Sequence, residues 1–108
     1  MVEVPKKFMF NSMTTEHLIL PETIQYIRPH AFANSMLESI VIPAGCIKIE
    51  QNAFRECLNL ASVTILGKDT VSDATAWAFD EKVKFYCNKD NQQIQALAYI
   101  FDFPIELI

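Results

Sequence analysis

Apolar residues recur along this chain with two nested periods, a short one inside each segment and a long one between segments. Leu37-x-x-Ile40-x-Ile42 and Leu60-x-x-Val63-x-Ile65 alternate apolar and polar positions as a half-buried strand does, sending 40 and 42 inward and 39 and 41 outward. Over the longer period, Leu18 to Phe32 (LILPETIQYIRPHAF) realigns with Ile40 to Phe54 (IVIPAGCIKIEQNAF) at an offset of 22. Both copies keep an apolar-x-apolar-Pro start, an Ile before the turn and an Ala-Phe end. Self-similarity at this period marks a solenoid, in which one unit cannot bury its apolar face alone and stacked units share a continuous core.

Each unit therefore predicts one short parallel strand, closed by Pro21 or Pro43 where a backbone N–H is dispensable. The chain then turns back through a second apolar pair, Ile24 and Ile27 or Cys46 and Ile49. A third copy begins at Val63-Thr64-Ile65. If Gly67-Lys68 is read as a two-residue insertion, Val71 falls over Cys46, Ala74 falls over Ile49, and Ala78-Phe79 takes the Ala-Phe column. Without the insertion, polar residues land on core columns. Counting the other way, Met9-Phe10 takes the Ala-Phe position of a degenerate first unit, an N-terminal cap or the cut end of a longer array. Phe10, Phe32, Phe54 and Phe79 are then expected to stack as an aromatic spine.

The last segment leaves the pattern. Val83 to Tyr86 predicts a further strand, Asp90 with Gln93 three residues on resembles a capping box, and Ile94, Leu97, Ala98 and Phe101 recur at helical spacing. That helix covers the open end of the core, and Phe103 to Ile108 forms a terminal strand that pairs with or covers the sheet edge. The division is one domain, 1–108: a half-repeat over 1–16, repeats over 17–82 and a cap over 83–108.

Composition narrows the functions. Hydrophobic residues make up 51% of the 108 and only two are glycine, so the chain is ordered and has a core to bury. A net charge of −4, with lysines and arginines scattered rather than striped among aromatics, argues against nucleic-acid binding. Apolar stretches such as Ile94 to Phe103 fall short of a membrane span, and MVEVPKKFMF lacks the apolar run of a signal peptide. The expected setting is the cytoplasm, or the cell surface if the sequence is a trimmed piece of a secreted protein. Three cysteines, Cys46, Cys57 and Cys87, lack metal-ligand spacing and make a disulfide framework improbable.

At L-x-x-I-x-I-P-x-x-x-x-x-I-x-x-x-A-F-x-x-C-x-x-L, met most fully between Leu37 and Leu60, the sequence resembles the BspA-type leucine-rich repeats of bacteria and some parasitic protists. Arg28 and Glu50 stand where that family usually has glycine after the second Ile. The resemblance spans residues 9 to 108. It implies an α/β solenoid, a right-handed leucine-rich-repeat coil with short parallel strands and a C-terminal helix-strand cap. It also implies a protein-interaction surface with no catalytic residues and no cofactor.

Outward strand positions supply the candidate partner-binding ladders: Ile19, Val41, Thr64 and Lys84, beside His17, Ser39, Ser62 and Lys82. Ile19 and Val41 are apolar on an outward face, which marks either a contact patch or the strand preference of β-branched residues. Trp77, in a column with His30 and Asn52, is either an exposed hot spot or a ring packed into the irregular third turn. Cys87, near the cap, is expected to be the exposed thiol. A Cys57 nucleophile activated by His30 would need hydrogen-bond contact and an oxyanion pocket that the spacing does not supply. Neither histidine has enough ligands nearby for a metal site. The expectation is a non-enzymatic module that binds a protein partner; the alternative is a structural end piece, or a subunit that self-associates through its N-terminal half-repeat.

Overall fold

A computed structural model describes residues 2–4, 16–77 and 83–108, the first three by backbone alone. Among these residues nine short strands, β1 (Val2–Val4), β2 (His17–Ile19), β3 (Ile24–Ile27), β4 (Ser39–Ile42), β5 (Lys48–Ile49), β6 (Ser62–Ile65), β7 (Val71–Ser72), β8 (Lys84–Cys87) and β9 (Ile105–Leu107), form two sheets with one α-helix, α1 (Gln92–Ile100). All pairings are parallel. The larger sheet runs β2-β4-β6-β8-β9 and the smaller β1-β3-β5-β7, so the three coils that hold β2 and β3, β4 and β5, and β6 and β7 each contribute a strand to both. The second apolar pair of the repeat thus lies in a strand (Ile24 and Ile27) or ends in one (Ile49), where one strand per unit was expected.

The alternation decides which side faces the core. Ile40 and Ile42, Val63 and Ile65, and Phe85 and Cys87 are buried, while the residues between them are half-exposed. Between the sheets the chain reverses in tight turns, where the Ile24 N–H donates to the Pro21 carbonyl and Cys46 to Pro43, both at 3.1 Å. Pro is suited there because its fixed φ starts a turn and ends a strand. The return arc has no strand, yet its amides still bond across coils: Phe32 donates to the Ala53 carbonyl at 2.8 Å and Phe54 to Ala76 at 2.6 Å. Backbone groups buried in this arc are therefore satisfied coil by coil.

Phe32 and Phe54 stack at 5.3 Å and 10°, as expected, but the third rung is Trp77, at 4.8 Å and 4° from Phe54. Phe85 and Phe103 continue the series edge-on at 5.1 and 5.3 Å. Phe10 and Phe79 lie outside the described residues, as do most of the N-terminal half-repeat and Lys82. The proposed insertion at Gly67-Lys68 is overturned: Val71 pairs with Lys48, Ser72 with Ile49, and Ala76-Trp77 occupy the Ala-Phe column. A polar residue enters the core instead. Thr70 is fully buried, and its hydroxyl donates to the Cys46 carbonyl at 2.6 Å, which offsets the desolvation cost of a polar side chain in the core.

The cap is a helix and a strand, as expected. Ile94, Leu97 and Ala98 cover the core, while Phe101 is the C-cap and 42% exposed. The N-cap is Asn91 rather than Asp90: its Oδ1 accepts from the Ile94 N–H at 2.9 Å, and its Nδ2 donates to the carbonyls of Gly67 and Thr70 at 2.8 and 2.9 Å. A fully buried Asn that caps and cross-links outcompetes a solvated Asp at the neighbouring position. β9 pairs with β8 in register, Ile105 with Phe85 and Leu107 with Cys87.

Candidate functional site

Parallel register lines the outward side chains of the larger sheet into two ladders. One is His17–Ser39–Ser62–Lys84, and the other Ile19–Val41–Thr64–Tyr86–Glu106. The expected ladders hold over the first three strands and fail at the fourth. Lys84 belongs beside Ser62 rather than Thr64, and Tyr86 takes the position assigned to Lys84. Keeping the offset of 22 from Val63 and Ile65 places Phe85 and Cys87 inward, and that apolar pair fixes the register. Tyr86 and Glu106 were missed for want of that step.

The face has two chemically distinct halves. On β2 and β4, Ile19 is 77% exposed next to Val41, and an open groove of about 360 Å³ follows, lined by Ile19, Val41, Pro43, Gly45 and Leu66. On β8 and β9, the Lys84 ammonium donates to the Glu106 carboxylate at 3.3 Å and stands 4.8 Å from the Tyr86 ring centre. The Glu106 hydrogen bond, with Tyr86 behind it, holds the Lys84 pKa above its ordinary value. One half is thus an apolar shelf and the other a fixed cationic and aromatic cluster.

Trp77 does not belong to this surface. It is completely buried between Phe54 and Phe85, because the third coil uses it as the core ring. Cys87 is likewise buried rather than exposed, since it occupies the inward column below Ile65. Cys57 is buried, donates its thiol proton to the Phe32 carbonyl at 3.0 Å and lies 3.3 Å from the Ser35 hydroxyl. Burial raises its pKa, against the opposing effect of Ser35, and raises Cys46 to about 11. A thiol held neutral by its surroundings is a packing group, not a nucleophile.

Glu16, His17 and Glu38 bring three ligand atoms within 4.8 Å, a grouping the sequence reading did not assemble although Glu16 and Glu38 are one repeat apart. His17 Nδ1 is already engaged with the Ser39 hydroxyl at 2.7 Å. The three side chains form a polar, solvated rim to the apolar shelf. Among the described residues, no helix is long and apolar enough to cross a membrane.

A family model described as BspA type Leucine rich repeat region (6 copies) matches residues 3–101. No curated protein and no solved structure matches the chain.

Proposed function

The chain belongs to the BspA-type leucine-rich repeat family, a class of interaction scaffolds rather than catalysts, and on that premise we propose that it presents the outward face of its larger sheet to a protein partner. The observation that carries this reading is the apolar shelf of exposed Ile19 and half-exposed Val41 within an otherwise polar ladder. Such a shelf, rimmed by Glu16, His17 and Glu38, has the layout of an interface core with a polar rim. The Lys84–Tyr86–Glu106 cluster sits at the far end of the same ladders and supplies orientation, since a charge pair fixes register more than it adds affinity.

Photo-crosslinking tests the assignment. A crosslinkable residue placed at Ile19, Thr64 or Tyr86 is expected to capture the same protein from extracts of the source cells. Placed at Lys68 or Glu56, off the face, it is expected to capture none of it. Capture from the off-face positions, with the ladder positions silent, would remove the strand face from consideration.

A further inference from the structure

The groove beside β4 has a cause that can be read coil by coil. After each strand of the larger sheet the chain turns on a short loop, and the loops differ in bulk. At an offset of 22, Glu22-Thr23 of the first coil stands over Ala44-Gly45 of the second. In the third coil Leu66 follows β6, its amide donating to the Ile42 carbonyl at 3.1 Å, and it is 40% exposed. The second coil thus has the smallest tip, set between Glu22 on one side and Leu66 on the other. The open groove of about 360 Å³ is the space that its missing side chains leave. A Cβ added at Gly45 would meet nothing nearer than the Glu22 carbonyl at 3.4 Å, an ordinary contact, so the turn does not require glycine there. Val41, Pro43 and Gly45, which form the middle of the groove, belong to a coil with a neighbour on each side.

Charge is distributed unevenly around this groove. Glu22 lines it, and Glu16 and Glu38 stand with His17 at the other end of β2 and β4. Strands of three or four residues span only about 10–13 Å, so carboxylates at both ends act on anything seated between them at physiological salt, where the Debye length is ~8 Å. The lysines on this side lie farther along, on the third and fourth coils, and each has an acid beside it: Lys68 is followed by Asp69, Lys89 by Asp90, and Lys84 bonds to Glu106. We propose that the groove takes an apolar side chain from an extended basic segment of a partner protein, whose flanking lysines or arginines are held by Glu22 at the wall and by Glu16 and Glu38 at the rim. The inference rests on the strand-face reading and gives that partner its chemistry. A groove at the low end of the ~300–1,000 Å³ range of small-molecule clefts, and open to solvent, encloses too little of a free ligand but suits a side chain carried on a larger partner. Apolar burial supplies the affinity. The carboxylates supply the selection, since an acidic segment in the same place would leave like charges facing one another. The net charge of −4 draws basic segments in the same sense from a distance.

Selection of random linear peptides on the immobilised chain tests the proposal, followed by fluorescence anisotropy with the most enriched peptide. Enriched peptides are expected to carry an apolar residue between lysines or arginines, and their binding is expected to weaken as salt rises. Gly45→Leu fills the groove and is expected to abolish binding. Glu22→Lys is expected to weaken it at least about tenfold and to flatten the salt dependence. Glu56→Lys, which makes the same change of net charge on a return arc, is expected to bind as the parent does. All three variants are expected to keep the parent's far-ultraviolet spectrum. Enriched peptides with no excess of basic residues overturn the proposal, as does a failure to enrich any. So does a basic peptide that binds Gly45→Leu and Glu22→Lys as tightly as the parent. The strand-face reading is judged apart from these results, by whether crosslinkers at Thr64 and Tyr86, outside the groove, capture a common protein.

Discussion

The second and third coils have the same job and solve it differently. Between Leu37 and Leu60 the columns are filled by apolar residues, Ile40, Ile42, Cys46, Ile49 and Phe54, all buried. Between Leu60 and Val83 the first two columns hold, as Val63 and Ile65, and then polarity enters: Thr70 is fully buried, Ser72 replaces Ile49, and the ring is Trp77. Hydrogen bonds compensate. Thr70 is tied to Cys46, and Asn91 reaches down from the helix cap to hold the carbonyls of Gly67 and Thr70. Gly67 is required for that closeness, since a Cβ there would lie 2.5 Å from the Thr70 hydroxyl and 2.7 Å from the Ala44 carbonyl. The return arcs differ too. His30 and Asn52 turn through the left-handed region at φ of 62° and 56°, whereas the third arc is a short 3-10 turn, Ala74–Ala76, begun by Asp73. One architecture thus tolerates either an apolar column or a satisfied polar one, provided that each buried donor and acceptor is answered.

The largest effect lies in what the two coils share. Phe54→Ala and Trp77→Ala each remove a ring from a stack buried on both sides, and each is expected to cost about 3–5 kcal/mol. For a domain of this size that lowers the melting temperature by more than ~10 °C. Because the two rings touch, the double variant is expected to cost less than the sum. Urea unfolding followed by circular dichroism measures all three. A Trp77→Ala variant within ~1 kcal/mol of the parent would mean that the third coil does not use this ring as its core.

Next in size is the link that only the third coil needs. Asn91→Ala removes the α1 cap and leaves two carbonyls facing an apolar interior, a combined loss of roughly 2–4 kcal/mol. Asn91→Asp separates the two roles, since it keeps an acceptor for Ile94 but sets a carboxylate against Gly67 and Thr70. Both variants are expected to unfold at clearly lower urea than the parent. If Asn91→Asp matches the parent, the bonds to the third coil contribute nothing and capping alone explains the buried Asn.

What the sequence revealed and what it hid follow the same division. The period, the parallel strands, the Phe32–Phe54 stack and the helix-strand cap are carried by apolar spacing, and apolar spacing is readable from one chain. The third coil was misaligned by two residues because a buried Thr is invisible to any argument that sorts positions by hydropathy. Its acceptor, the Cys46 carbonyl, belongs to a backbone whose position depends on the fold. Asn91 was passed over for Asp90 on the same ground, because its partners lie 21 and 24 residues away. The outward ladders were legible as far as Thr64, where alternation alone sufficed. Beyond it, Lys82, Lys84 and Tyr86 needed the inward pair Phe85 and Cys87 to fix the register. The second sheet was hidden in strands as short as the two residues of β5 and β7.

The smallest effect separates the two coils by the kind of charge they use at one position. Glu50 and Asp73 occupy equivalent places, their amides donating at 2.8 Å to Ile27 and Ile49 of the preceding coil. Glu50 reaches across coils to Arg28 at 3.0 Å, whereas Asp73 folds onto its own turn, accepting from the Thr75 hydroxyl at 2.6 Å and the Thr75 amide at 2.9 Å. Those bonds favour the carboxylate, with the hydroxyl as the larger contribution, and lower the Asp73 pKa below 3.8. A pKa lowered by folding means that the unfolded chain binds the proton more readily. The stabilisation is therefore complete above the unfolded value near 3.8 and disappears as pH falls through the lower folded value. Asp73→Ala is expected to cost about 1 kcal/mol at neutral pH and to converge with the parent in strong acid. Glu50→Ala should cost no more than ~1 kcal/mol, and that cost should shrink in molar salt, because a half-exposed ion pair is screened while a capping hydrogen bond is not. If both penalties respond to salt alike, the third coil's turn is held by general charge attraction, and the contrast between a cross-coil pair and a local cap disappears.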